Sequence, residues 1–130
     1  MRKFIAILGF LFLSATAQGQ MKATATPHGT SLSWTATTTV CTSPCTSITY
    51  NVYRGTTSGG EDLTTPINSS PITGTTYTDS SVTLGTTYYY VVEAVEAWTG
   101  SPLVSAPSNE ASVTFPQAPA APSGLAGTPS

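Results

Sequence analysis

Residues Val82 to Val95 read Val-Thr-Leu-Gly-Thr-Thr-Tyr-Tyr-Tyr-Val-Val-Glu-Ala-Val, and this stretch decides the fold. After a turn at Gly85, β-branched and aromatic residues follow one another, a composition that favours a strand over a helix. With a period of two, one face of this strand carries Tyr88, Tyr90, Val92 and Ala94. The opposite face includes Glu93. We therefore expect the Tyr88 face to pack into a core and the Glu93 face to be the wetter one.

Tyr88 stands three residues after Gly85 and six after Val82. Its hydroxyl is thus placed to reach back to the backbone of the preceding turn, as in the tyrosine corner of immunoglobulin-like sandwiches. The stretch resembles a fibronectin type III domain, although Leu84 stands where that family commonly has proline. Three further segments resemble the same family: Ser31-Leu32-Ser33-Trp34, Tyr50-Asn51-Val52-Tyr53-Arg54-Gly55 and Pro107-Ser108-Asn109-Glu110-Ala111-Ser112-Val113.

The resemblance implies a fold class and the limits of a domain. It predicts an all-β, seven-stranded immunoglobulin-like (fibronectin type III) sandwich of two antiparallel sheets over residues 22–115. The expected core consists of Leu32, Trp34, Tyr50, Val52, Tyr77, Tyr88, Tyr90 and Val92. Besides the strand described above, strands are predicted at 23–26, 30–37, 47–54 and 75–79, with an edge strand between 62 and 67. Pro107 is expected to interrupt the last strand.

The two ends of the chain differ from this domain. Arg2 and Lys3 precede an apolar run that ends in Ala15-Thr16-Ala17, which predicts a secretory signal peptide over residues 1–17. The run is too short to span a bilayer, so we expect a secreted, periplasmic or cell-surface protein without membrane insertion. An uncleaved anchor is the alternative. Residues 116–130 are rich in Pro, Ala and Gly and predict a flexible tail or linker, although residues 121–125 also resemble the entry to a second repeat.

Charge excludes one class of partner. The chain has a net charge of −2 at pH 7, and charged residues make up only 8% of it. Without the predicted signal peptide, two basic residues face six acidic ones, which leaves −4. Nucleic-acid binding requires a basic face that releases counterions from phosphates, and Lys22 and Arg54 are too few to form one.

The two cysteines, Cys41 and Cys45, enclose Thr42-Ser43-Pro44 in the loop between the second and third predicted strands. In an exported chain we expect them to form a disulfide that stiffens this loop. A redox pair is the alternative, but the spacing is not Cys-x-x-Cys and no cation lies beside it. A zinc site would need more ligands than the single histidine, His28, supplies.

Catalytic patterns are missing from the sequence. His28 lies in a Pro27-His28-Gly29 turn, and no nucleophile-elbow motif accompanies it. We find no phosphate-binding glycine loop and no cofactor motif. The chain is therefore expected not to be an enzyme, and no catalytic residue, cofactor or metal ligand is assigned. An enzyme that uses His28 is kept as a third hypothesis.

Loops gather at one end of such a sandwich, as they do in antibodies. This would bring together the cysteine loop, the segment 68–74 and the turn 98–102. The expected ligand contacts are Ser43, Pro44, Trp98, Thr99 and Ser101, because aromatic anchors with polar neighbours are typical of interfaces. The alternative is that Trp98 folds over the core. The segment Asn68-Ser69-Ser70 is also an acceptor sequon for N-glycosylation. We discount it because the Thr-rich turns and the Tyr53-Arg54-Gly55-Thr56-Thr57 stretch resemble those of bacterial proteins.

These observations support a function hypothesis and an alternative. The first is a secreted, non-catalytic fibronectin type III module, a monomer with a binding or spacer role toward an extracellular protein or polysaccharide. The alternative is a structural subunit that docks onto an envelope or extracellular assembly through a strand edge or the Pro-rich tail.

Overall fold

The computed structural model describes residues 20–26 and 29–128. These residues form seven strands and no helix: β1 (Lys22–Thr26), β2 (Gly29–Ser33), β3 (Cys45–Gly55), β4 (Thr76–Asp79), β5 (Thr87–Trp98), β6 (Leu103–Val104) and β7 (Ala111–Thr114). One antiparallel sheet has the order β1-β2-β4; in the other, β5 pairs with β3 on one side and with β6 and β7 on the other. The predicted all-β sandwich of two antiparallel sheets is confirmed. The predicted signal peptide (1–17) and His28 lie outside the described residues.

The longest pairing joins β3 to β5. Val52 lies opposite Val92, and Tyr50 lies opposite Ala94. Because directly paired residues share a face, this register turns the alternate residues of both strands toward the other sheet. The four residues predicted for the core face of β5 are all buried: Tyr88, Tyr90, Val92 and Ala94.

The core between the sheets is largely aromatic. Its buried cluster consists of Met21, Leu32, Trp34, Tyr50, Val52, Tyr88, Tyr90, Val92, Ala94 and Phe115. The rings of Trp34 and Tyr50 meet edge to face with centroids 5.5 Å apart. Of the residues expected in the core, Tyr77 alone is only half-buried. It lies in β4, at the edge of its sheet, and its hydroxyl donates to the carbonyl of Ile67.

Tyr88 makes the contact of a tyrosine corner. Its hydroxyl accepts a hydrogen bond from the backbone N–H of Thr83 at 3.1 Å. Gly85 has φ 77°, in the left-handed region that favours glycine, and its N–H donates to the carbonyl of Phe115 at 3.1 Å. The guanidinium of Arg54 lies 4.8 Å from the centroid of the Tyr88 ring. The turn and the start of β5 are therefore fixed together.

The outer face of β5 is less exposed to solvent than the sequence predicts. Val91 and Glu93 are buried, and so is Tyr53 on the neighbouring strand. Tyr53 lies directly opposite Val91, so its large ring is next to both residues. Burial raises the pKa of Glu93, and a hydrogen bond with Tyr53 offsets part of that rise. The prediction that Glu93 marks a wet face is wrong, because cross-strand neighbours shield it.

Strand limits differ from the prediction at two places. β2 ends at Ser33 instead of continuing to 37; the N–H of Trp34 still bonds to the carbonyl of Thr75, whereas the N–H of Thr37 donates to the hydroxyl of Tyr50 in the other sheet. The edge strand predicted at 62–67 is not formed. There the side chain of Asp62 accepts hydrogen bonds from Thr64 and holds a turn, and Ile72 instead pairs with Tyr50 through two backbone hydrogen bonds of 2.8 and 3.2 Å.

Asn68 covers part of the free edge of β3. Its Oδ1 accepts a hydrogen bond from the N–H of Val52 at 2.7 Å, and its Nδ2 donates to the carbonyl of Ser70 at 2.9 Å. The side chain is buried and takes the place that a neighbouring strand would fill. The amide nitrogen of Asn68, which a glycan would have to modify, is thus hydrogen-bonded inside the fold.

The last strand is interrupted as predicted, and two serines bridge the gap. Around Pro107, the N–H groups of Ala94 and Val92 donate to the hydroxyls of Ser105 and Ser108, each at 3.0 Å. The N–H groups of the two serines donate back to the carbonyls of the same two residues, each at 2.9 Å. Hydroxyl oxygens therefore replace the strand carbonyls as acceptors along this edge of β5.

A buried carboxylate ties the two sheets together. Asp79 in β4 is 3% exposed and accepts hydrogen bonds from Arg54 in β3 at 2.7 Å and from the hydroxyl of Tyr90 in β5 at 3.0 Å. Burial on its own raises the pKa of Asp79, but hydrogen bonds from Ser81 and the Arg54 guanidinium outweigh it, so the pKa lies below its usual range. Burial also raises the pKa of Tyr90 to about 12.

The two tryptophans give a matched test of the core. Trp34 is 6% exposed and Trp98 is 37% exposed. We expect Trp34→Ala to lower the free energy of unfolding by about 3–5 kcal/mol, as for a large core truncation. Trp98→Ala should lower it by about 1 kcal/mol or less. Urea denaturation with the disulfide intact measures both, and equal losses would contradict the assignment of the core.

Tyr88→Phe tests the tyrosine corner. It removes the acceptor of the Thr83 N–H and should lower the free energy of unfolding by about 0.5–1.5 kcal/mol. Tyr89→Phe, one residue along on the outer face, is the control and should have a smaller effect. The two midpoints in urea are compared under the same conditions. A larger loss in Tyr89→Phe would reverse the assigned faces of β5.

Asp79→Asn tests the inter-sheet carboxylate. Its folded pKa lies below the ordinary value, so its contribution is present above pH of about 4 and is lost as the pH falls through the folded pKa. We expect Asp79→Asn to lower the free energy of unfolding by about 3 kcal/mol at neutral pH, because Arg54 loses its partner. The difference from wild type should shrink at acidic pH. Urea denaturation across pH measures it, with Glu96→Gln as the control outside this network, and a difference that grows on acidification would contradict the account.

Candidate functional site

The cysteine loop is closed by the predicted disulfide. Cys41 and Cys45 are bonded, with their Cα atoms 5.3 Å apart. The N–H of Cys45 donates to the carbonyl of Thr42 at 2.8 Å, so the loop is a tight turn that leads directly into β3. Ser43 and Pro44, at the tip of this turn, are exposed. The loop is therefore a small, covalently braced projection at the start of a long strand.

Trp98 lies beside this loop. It is the last residue of β5, and its cross-strand partner is Cys45. A register shift between Cys45 and Ser47 precedes this pair, so Trp98 lies at the same irregular strand end as the disulfide. The hydroxyl of Thr46 also donates to the carbonyl of Ala97 at 3.2 Å. The structure thus brings together two of the three segments that were predicted to lie at one end of the sandwich, the cysteine loop and the turn that begins at Trp98.

The side chains expected to contact a ligand are exposed. Trp98 lies outside the buried core cluster with 37% of its surface exposed, and Thr99 and Ser101 follow it in an exposed turn. Leu103, which sequence reasoning missed, is 54% exposed and pairs with Glu96. Glu96 and Trp98 are two positions apart in β5, so Leu103 shares the face of the indole. We call these residues the Trp98 surface: Ser43, Pro44, Trp98, Thr99, Ser101 and Leu103.

The segment 68–74 does not join the Trp98 surface. Asn68 is bonded to Val52 and Ile72 to Tyr50, so the segment runs along the middle of β3. Tyr50 is five residues from Cys45, which is about 16 Å at roughly 3.3 Å per residue. The expectation that this segment lies next to Trp98 is wrong, because pairing with β3 holds it along the strand edge.

A polar cluster that the sequence did not reveal lies on the loop after β3. Glu110 accepts hydrogen bonds from the hydroxyl of Ser58 at 2.9 Å and from the N–H of Gly59 at 2.6 Å. Burial raises the pKa of Glu61, and the neighbouring Glu110 adds to that rise. These contacts fasten the loop to the start of β7, near the opposite end of β5 from Trp98.

Within the described residues no group of three or more His, Cys, Asp or Glu side chains is arranged to hold a metal ion.

The Trp98 surface is poor in charge. Residues 35–50 and 97–109, which include both of its loops, contain no Asp, Glu, Lys or Arg. The nearest charged group along the strands is Glu96, which is half-buried between Ile48 and Leu103. The groups that this surface presents are therefore the indole, the aliphatic side chain of Leu103 and the hydroxyls.

Residues 20–26 and 29–128 form no helix, and so none with the length and hydrophobicity of a membrane span.

Comparison with known proteins identifies the family. No family model matches the sequence, and no curated protein matches it. Among solved structures, an Fn3-like protein from Clostridium thermocellum is 34% identical over 82% of this chain and 100% of its own, with a TM-score of 0.57. Pectate lyase Pel3 from Pectobacterium carotovorum is 24% identical, with a TM-score of 0.52 over 86% of this chain and 29% of the lyase, and shares the fold alone. With its two antiparallel sheets, its aromatic core and this relative along its length, the chain belongs to the fibronectin type III-like (Fn3-like) family.

Proposed function

We propose that this chain is a non-catalytic binding module that acts outside the cytoplasm and recognises an extracellular protein or polysaccharide through the Trp98 surface. The observation that carries the proposal is the position of Trp98, which is partly exposed at the end of the longest strand and next to a disulfide. An aromatic side chain on a rigid support loses little conformational entropy on binding. Such residues dominate the energy of many interfaces.

Export is supported by two features. The apolar segment before residue 18, with its small-residue end, has the pattern of a secretory signal. The disulfide between Cys41 and Cys45 is of a kind that persists in oxidising compartments outside the cytoplasm. A non-catalytic role is supported by the Fn3-like fold.

A structural subunit is the second candidate. The exposed segment 116–128 contains no strand, and β1 and β4 each leave one edge unpaired within the described sheets. The tail leaves the domain near Gly85, before β5 begins, whereas Trp98 ends that strand. The strand between them is about 36 Å long at roughly 3.3 Å per residue. Docking by the tail and recognition by the Trp98 surface are therefore separable by mutation.

The proposal is tested by capture of a partner from the growth medium and envelope fraction of the source organism. The immobilised protein should retain a protein or polysaccharide, and Trp98→Ala should weaken that retention about tenfold or more, as loss of an aromatic hot spot does. Leu84→Ala is the matched control, because Leu84 is an exposed apolar residue at the other end of β5. Mass spectrometry and sugar analysis identify what is retained.

A variant that lacks residues 116–130 completes the test. Retention should be unchanged in this variant if the Trp98 surface makes the contact. Retention that is lost with the tail and kept in Trp98→Ala would contradict the proposal and favour the structural subunit.

A further inference from the structure

We infer that the ligand of the Trp98 surface is an uncharged polysaccharide chain, an inference that rests on the proposed function of that surface. Its first support is the lack of charged side chains in the loops that form the surface. Both loops that build the surface lack ionisable side chains, and the mature chain is acidic overall. An anionic ligand, whether a phosphate-bearing lipid or an acidic polysaccharide, would meet no cation there. The one arginine of the domain, Arg54, is engaged with Asp79.

The second support is the match between an indole and a sugar ring. A pyranose presents an apolar face of C–H groups that packs against an aromatic face, and its hydroxyls project from the rim. Trp98 has more than a third of its surface exposed, and Leu103 extends the apolar strip on the same side of the strands. This strip lies at the end of β5 and at the start of β6, on either side of the turn that joins them.

The third support is the hydroxyl groups that surround the indole. Ser43, Thr99 and Ser101 are exposed and lie in the two loops that meet at Trp98. Each hydroxyl both donates and accepts hydrogen bonds, as sugar hydroxyls do, so the two kinds of group satisfy each other in either direction. Water molecules can bridge the pairs that do not meet directly. Charged side chains, which orient protein partners at the rim of an interface, are missing from these loops.

The surface is also held in place before binding. The disulfide fixes the cysteine loop, and the Thr46 hydroxyl fastens the adjoining residue of β3 to the end of β5. Little ordering is then required when a sugar chain binds. With one stacked ring, binding should be weak, with a Kd on the order of 1 mM or somewhat tighter for a single site.

Affinity electrophoresis tests this inference. The exported protein is run in native gels that contain hydroxyethylcellulose, galactomannan, arabinoxylan or dextran, with polygalacturonate as the charged comparison. We expect at least one neutral polymer to retard the protein and the retardation to persist when the salt concentration is raised, since a neutral polymer carries no charge for salt to screen. Trp98→Ala should lower the apparent association constant about tenfold. Trp98→Phe should keep part of it, and Leu84→Ala should keep all of it.

The outcomes separate this inference from the proposed function. Retardation only by polygalacturonate, retardation that salt abolishes, or no retardation by any neutral polymer overturns the inference, as does retardation that Trp98→Ala leaves intact. If a protein is nevertheless captured in a Trp98-dependent manner, the proposed function stands with a protein partner. If neither capture nor retardation depends on Trp98, both fail.

Discussion

The register between β3 and β5 is the constraint on which the rest of the structure depends. It places Val52 opposite Val92 and Tyr50 opposite Ala94, and so fixes which side chains enter the core. A slip of one residue would turn every side chain of either strand to the other face. After a register shift between Cys45 and Ser47, the same strand pair ends with Cys45 opposite Trp98. One set of backbone hydrogen bonds therefore determines both the aromatic core and the exposed surface proposed to bind a ligand.

The buried ion pair of this domain is structural. Arg54 is committed to the buried Asp79, which also accepts the hydroxyl of Tyr90 and so links the two sheets. Removal of one member of such a buried pair leaves the other unsatisfied, which makes the pair important even though its net contribution is modest. Elsewhere serine hydroxyls take the place of strand carbonyls, as Ser105 and Ser108 do beside β5. Hydroxyls are also the main polar groups around Trp98, which is the basis for expecting an uncharged ligand.

Local patterns in the sequence were sufficient for much of the fold and part of the site. The alternation along β5, the spacing of Tyr88 after Gly85 and the close pair of cysteines each report on neighbours in the chain, and strand order then placed Trp98 beside the disulfide. Contacts between distant residues were not visible. The shielding of Glu93 by Tyr53, the Asn68 side chain on the edge of β3 and the position of Leu103 all depend on which strands lie side by side. The segment 68–74 was misplaced for the same reason.

The most direct test of this account is acrylamide quenching of tryptophan fluorescence in two single-tryptophan variants, Trp98→Phe and Trp34→Phe. As the remaining fluorophore, Trp34 is expected to emit at shorter wavelength and to resist quenching, because it lies between the sheets. Trp98 alone should emit at longer wavelength and be quenched readily until a ligand covers it. Equal quenching of the two, or a protected Trp98 and an accessible Trp34 in the folded protein, would contradict both the register and the surface derived from it.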